Sequence, residues 1–281
     1  MVIGSFGASY ITFKKMFKVI LAGTNPIIWT DVLKNWNAGL IAFISQKTLF
    51  KTRPVVGFIH ALVAWGFTLY LLVNIVDVLY GFIPNFKFLP NSITGDIYRI
   101  FVDTFSILVL LGVFYFLARR FIIQEDRLTI KDPVLLSDRA KAGMKFDSFI
   151  VGAFIILHIG SRFLSASFEI AIHGTDWSQP AANMVATIWS TLSPNTLTIA
   201  EHVTWWLALG LILLFLPYFP YSKHAHLFMG PLNIMASEKR SSMAAIETID
   251  FEDEELDQFG AAQIQHLPQT QLLDGYACIQ C

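Results

Sequence analysis

Cysteine is nearly missing from this chain. Of its 281 residues only two are cysteine, Cys278 and Cys281, and both fall in the last four positions. A bridge between them would close too short a loop to constrain a fold, which excludes a disulfide framework. Charge is scarce as well. Asp, Glu, Lys and Arg supply 15% of the residues, where a soluble domain carries about a quarter, so much of the chain favours an apolar solvent. The formal net charge is -1, and the basic residues form neither a helical stripe nor a tail. They lie between the apolar runs, which gives no footing to a nucleic-acid partner. A cleavable leader is not recognisable either. The opening MVIGSFGASYITFKK runs from apolar to basic, the reverse of the usual order, and has no clear cleavage site.

What the chain does have is hydrocarbon. Hydrophobic types reach 54%, with 25 Phe and a mean hydropathy of +0.55. Four stretches, Val55 to Tyr80, Ile97 to Ala118, Phe146 to Ala171 and Ile199 to Phe219, are long enough to cross about 30 Å of bilayer core at about 1.5 Å per residue. A half-length apolar piece, Met1 to Phe13, is too short to cross alone and reads as the inner end of a helix. The segment Ile20 to Phe50 reads as a connection of amphipathic pieces on the membrane surface. Lysines and arginines crowd the residues before the first full span and those between the second and third. The stretch Gly81 to Asp96 has only Lys87, and Ile172 to Thr198 has none. The positive-inside rule then puts both ends of this four-span chain on the cytoplasmic side. The middle of the outer loop, Ala181 to Leu192, is expected to form a short helix across the outer mouth.

Polar side chains inside spans are costly and therefore the best candidates for function. His60 lies in GFIHALVAWGF near the cytoplasmic end of the first full span, and His158 lies in FIILHIGSRF near the middle of the third, with Arg162 one turn beyond. His202 opens the last span in AEHVTWW, and His224 and His226 follow it in PYSKHAHLF. Neutral imidazoles on neighbouring helices suit a haem held between them, provided that the two ligands share a depth. His60 and the pair His224/His226 meet that condition. The plainer alternative is a histidine that bonds a backbone carbonyl or a serine, or one that sits at the interface; it stands open for His158, His202, His224 and His226. Arg162 needs a partner, for which a haem propionate, a lipid phosphate and Glu169 are the alternatives. The many aromatic residues read as helix packing and interface anchors.

After Phe219 the composition turns polar and acidic, and the chain closes on C-I-Q-C. By itself that pair suits a redox dithiol, half of a zinc site, or the first two ligands of an iron–sulfur cluster. Two thiolates are too few for a cubane, so this points to further ligands in residues beyond.

FIHALVAWGF, the run EHVTWW with PYSKHAHLFMGPLNI, and the tail FEDEELDQFGAAQIQHLPQTQLLDGYACIQC carry a resemblance. The chain resembles the fused membrane and iron–sulfur proteins related to heterodisulfide reductase, whose membrane part is similar to the gamma subunit of respiratory nitrate reductase. The resemblance implies an all-α bundle of four to five transmembrane helices with a short cytoplasmic extension. It divides the chain into a partial first helix and amphipathic connection (1–54), a cytochrome b-like domain (55–230), and a linker with the start of a ferredoxin-like domain (231–281). It implies haem b bound by His60 and His226 rather than His224. Cys278 and Cys281 would be the first two ligands of a [4Fe-4S] cluster completed only in a longer chain.

The second haem of the nitrate reductase type has ligands at positions that are Tyr70 and Ala208 here. Neither is a normal haem partner, so the second seat would pass to His202 or, next, His158. The expected activity is electron transfer between a menaquinone or ubiquinone pool and a cytoplasmic iron–sulfur domain or flavoprotein, in the cytoplasmic (inner) membrane of a prokaryote. The site that converts a soluble substrate is expected to lie outside this chain. Two other classes compete. One is a non-haem membrane anchor or transporter-like subunit, against which stands the absence of paired broken helices or internal duplication. The other is a quinone-linked thiol oxidoreductase, which would need a second dithiol.

Overall fold

Helices dominate because the sequence offers long apolar runs punctuated by serine caps and prolines. The computed structural model describes residues 1–86, 88–89, 92–128, 136–237, 252 and 260–278. These group into two compact units, one comprising Met1 with Thr48–Leu216, the other Val2–Lys47 with Pro217–Cys281.

The first unit holds four helices that are long and apolar enough to cross a membrane. In chain order, following α1 (Val2–Leu21), α2 (Trp29–Lys34), α3 (Trp36–Ser45) and α4 (Lys47–Thr52), they begin with α5 (Pro54–Phe82) and α6 (Ile93–Leu117). The others are α7 (Asp138–His173) and, after the short α8 (Pro180–Ala186), α9 (Pro194–Phe215). A π-helical turn, Ala118–Ile122, continues α6. Pro54 opens α5 where its missing N–H would have no intrahelical partner anyway. Ser92, Ser137 and Ser193 cap α6, α7 and α9, each accepting a backbone N–H from Gly95, Ala140 or Thr196. At 36 residues α7 is about 54 Å long, more than hydrocarbon requires, and its first turns carry Asp138, Arg139, Lys141 and Lys145.

The last crossing differs from its sequence boundaries. Hydropathy begins at Ile199, yet the helix starts five residues earlier because Ser193 and Pro194 form a cap and a first turn. It stops at Phe215 rather than Phe219, with Leu216 still helical as its cap, because Pro217 has no N–H to continue the hydrogen-bond ladder.

α7 packs most extensively on α9, α5 packs on α6, and α6 also meets α7. Val73, Ala61, Val109, Ile159 and Ala208 are buried inside, whereas Leu71, Leu111, Ile199 and Leu214 point outward. A helix bundle with leucine on its outside is what a lipid solvent selects. Close approach of α5 and α6 depends on glycine: a Cβ at Gly66 would lie 2.2 Å from Val109 Cγ2, and one at Gly112 2.6 Å from Val63 Cγ2. Val109 is fully buried and has nowhere to move. Gly66→Val is therefore expected to destabilise the unit by about 1–3 kcal/mol through overpacking, read as a lower thermal midpoint in detergent; an unchanged midpoint would contradict this packing.

The second unit joins α1, α2 and α3 to two later helices, α10 (His226–Ala236) and α11 (Gln269–Ala277). Met16, Ile20, Ile27, Val32, Ala225, Met229 and Leu273 form its core. Thr24 and Gln269 tie the early and late segments by backbone bonds: Thr24 N–H donates to the Leu267 carbonyl at 3.0 Å and Gln269 N–H to the Thr24 carbonyl at 2.8 Å. The buried Gln269 side chain accepts from Ile27 N at 3.1 Å and donates to the Leu21 carbonyl at 3.2 Å. The apolar piece at the start of the sequence is part of the 20-residue α1, which carries Lys14, Lys15 and Lys18 along with its apolar residues.

Candidate functional site

A polar cavity of 1160 Å³ opens at the end of the first unit where α5 and α7 finish and α9 begins. Its floor holds an ion pair between spans. Arg162 on α7 donates through Nε to Asp77 Oδ2 at 2.6 Å and through Nη2 to Asp77 Oδ1 at 3.1 Å. This two-point fork fixes the guanidinium plane, and α5 and α7 meet the cost of desolving each charge with the other. The partner found for Arg162 is thus Asp77, whereas a propionate, a lipid phosphate and Glu169 were the sequence alternatives. Glu169 lines the same cavity.

Tyr70 stands beside the pair. Its hydroxyl lies 2.7 Å from Ser106 Oγ, and Ser106 spends its own proton on the Val102 carbonyl, so the tyrosine is the donor. Toward the mouth, Ser165 Oγ donates to Glu201 Oε1 at 3.3 Å, and His202 Nε2 lies 3.4 Å from Glu201 Oε2. Tyr98, Trp205 and Trp206 complete the aromatic part of the wall.

The outer loop lines the cavity through Thr175, Asp176, Trp177 and Gln179; the short helix expected over Ala181 to Leu192 is present as α8, Pro180–Ala186, with a further turn at Thr187–Trp189. Asp103 on α6 accepts the N–H groups of Ala181 and Ala182 at 2.8 and 2.9 Å, which anchors the first turn of α8. Before it, Asp176 accepts from Ser178 and Gln179 and pairs with Arg99 at 2.9 Å. Burial works to raise the Asp176 carboxyl, but these hydrogen bonds and Arg99 outweigh it and hold the group below its ordinary value.

His158 lies deeper in the same unit. Its Nδ1 meets the Ala208 carbonyl at 2.9 Å, and a carbonyl only accepts, so Nδ1 carries the proton. Nε2 is buried and has no hydrogen-bond partner among the described residues. The ring stacks on Phe154 with centroids 5.5 Å apart and meets the edge of Tyr70 at 6.0 Å. Tyr70 and Ala208 are therefore neighbours of His158. His202 does not join it: Ala208 is six residues further along α9, about 9 Å along the axis, so His158 and His202 do not share a depth. His202 is largely exposed at the cavity mouth.

His60 is on α5 and packs edge-on to Phe116 of α6 at 6.3 Å. His224 and His226 are in the second unit. His226 hydrogen-bonds through Nδ1 to the Lys223 carbonyl. Burial first, then the nearby charges of His226 and Lys223, pushes His224 down to about 3, and burial also lowers His226. Both are neutral at pH 7, the form that binds a metal. The anchored Nδ1 of His158 and of His226 is the arrangement by which an imidazole presents Nε2 to iron, so these residues fit a haem ligand's requirements. Cys278 follows α11 and is exposed; Cys281 lies outside the described residues. Among the described residues no group of three or more His, Cys, Asp or Glu is arranged to hold a metal ion.

Histidine-centred reading of the spans missed Asp77, Asp103 and Ser165. Asp77 had a signal, being the one carboxylate in the first full span.

No family model matches the chain, and no solved structure matches it. Two curated proteins are similar. A protein named probable iron-sulfur-binding oxidoreductase FadF, from Bacillus subtilis (strain 168), is 33% identical over 241 residues, covering 84% of this chain and 31% of the relative. An EtfAB:quinone oxidoreductase from Syntrophomonas wolfei subsp. wolfei is 24% identical over 272 residues, covering 96% of this chain and 37% of the relative. The chain thus spans about a third of the length of the curated relatives it matches.

Proposed function

We propose that this chain is the membrane part of a quinone-linked oxidoreductase and that the cavity of the first unit receives the quinone head group. The observation that carries this reading is the Asp77–Arg162 pair on the cavity floor, set among aromatic walls. A quinone needs a flat apolar slot and a donor to its carbonyl oxygen. The aromatic residues offer the slot, and Arg162 retains donors beyond the two bound to Asp77. The printed names of the relatives, a probable iron-sulfur-binding oxidoreductase and an EtfAB:quinone oxidoreductase, support the same class. Electrons would pass between menaquinone or ubiquinone and a cytoplasmic iron–sulfur domain or flavoprotein, with the chain in the cytoplasmic membrane of a prokaryote and its basic loops and C-terminus inside.

Bound b-type haem would supply one-electron transfer across the bilayer. We assign its iron to His60 and His226 by their sequence resemblance, and a [4Fe-4S] cluster begun by Cys278 and Cys281 to a longer chain. The non-haem membrane subunit draws better support from the comparisons, whose printed names give iron–sulfur and quinone chemistry, and quinone binding at Arg162 is compatible with both.

Menadione is the direct probe. It should quench fluorescence of the detergent-purified chain saturably, because Trp205 and Trp206 line the cavity. Arg162→Gln should weaken it at least tenfold, the equivalent of about 1.4 kcal/mol. Quenching that is absent, or equal in both proteins, would remove the quinone from this cavity.

A further inference from the structure

The polar groups of the cavity are graded from closed to open. Side-chain exposure is 8% at Asp77, 21% at Arg162, 21% at Glu201 and 69% at His202. Arg162, Ser165 and Glu169 follow one another on a single face of α7 at spacings of three and four residues. From the opposite wall α9 supplies Glu201, reached by the Ser165 hydroxyl, and His202, reached by Glu201. Asp77 is engaged by the two-point fork of Arg162, and Asp103 by two backbone N–H groups, so both carboxylates are committed to structure. Glu201 is different. Its bonds are a long one to a serine hydroxyl and a contact with an imidazole, each able to carry a proton.

Resting on the quinone reading above, we propose that Glu201 is the proton-exchanging carboxylate of this cavity, passing protons between the quinone and the solvent at His202. Reduction consumes two protons, Q + 2e⁻ + 2H⁺ → QH2, one on each carbonyl oxygen, and oxidation returns them. The electrons come from, or go to, a one-electron carrier of the iron–sulfur or haem class. The chain's part is to carry protons along its own side chains between the cavity mouth and the quinone. Glu201 takes a proton from the mouth, where His202 is exposed, and delivers it inward past Ser165. The other titratable and charged groups that line the cavity are Arg162 and Glu169 on α7, Tyr70, Asp77 and Tyr80 on α5, Asp96, Tyr98, Arg99 and Asp103 on α6, Asp176 in the outer loop, and His202 beside Glu201 on α9. Arg162, paired as it is, keeps the floor from gathering net negative charge while Glu201 cycles.

The test is redox-difference infrared spectroscopy on the detergent-purified full chain, with menadione at a concentration that saturates tryptophan quenching in each protein and electrons supplied by an electrode. Wild type should show a carboxyl stretching band that changes when menadione is converted to menadiol. Glu201→Gln should lose it, and Glu201→Asp should keep one at a shifted frequency. Ser165→Ala should slow its appearance at least tenfold. An unchanged band in Glu201→Gln overturns the proposal and leaves the quinone reading standing. Failure of menadione to bind wild type removes both.

Discussion

Asp77→Asn is expected to lower the stability of the first unit by about 3–5 kcal/mol, because it leaves the guanidinium of Arg162 without a counter-charge between helices. Asp77 is buried, and its two oxygens accept from Nε and Nη2 of Arg162. An amide keeps the shape and one acceptor but removes the charge that offsets desolvation of the arginine. In a chain of this size that loss corresponds to a fall of roughly 10 °C in the thermal midpoint. The double variant Asp77→Leu with Arg162→Met separates stability from function. Removing both charges removes the desolvation cost too, so the midpoint should recover toward wild type while menadione binding is weakened at least tenfold, as in Arg162→Gln. A midpoint in Asp77→Asn equal to wild type would mean that the pair is solvated and contributes little, and the cavity floor would need another description.

Much of the fold was legible because composition and length decide it. Spans need twenty or so apolar residues, and the four runs from Val55, Ile97, Phe146 and Ile199 correspond to α5, α6, α7 and α9. Hydropathy does not see caps, however, so the polar first turn of α9 was invisible until Ser193 and Pro194 were given their roles. The site was less legible. Arg162 could be recognised as needing a partner, but Asp77 is 85 residues away in sequence, and which turn of α5 faces which turn of α7 is decided by the packing of the whole bundle rather than by any local pattern. His158 is the same kind of case. That a mid-span histidine bonds a backbone carbonyl was one of two sequence alternatives, and the carbonyl is that of Ala208, a position whose side chain carries no sign of it.

Haem content is the other large effect. If His60 and His226 bind one haem b, His60→Ala and His226→Ala should each lose that haem entirely, measured as pyridine haemochrome per purified polypeptide, with the reduced-minus-oxidised spectrum losing its low-spin band. His224→Ala should retain it. The two imidazoles have different support in the protein: His226 has Nδ1 anchored on the Lys223 carbonyl, and His60 packs against Phe116. A second haem would require a partner for His158 at its own depth, and His202 is about 9 Å away along α9. Under the His60 and His226 assignment the expected stoichiometry is therefore one. His158→Phe, which keeps an aromatic stack with Phe154, should leave that single haem in place. Full haem retention in both His60→Ala and His226→Ala would sink this ligand pair. No haem in wild type, purified after expression with ample haem supply, would select the non-haem membrane subunit, and the electrons of the quinone in the cavity would then have to leave by a centre held outside this chain.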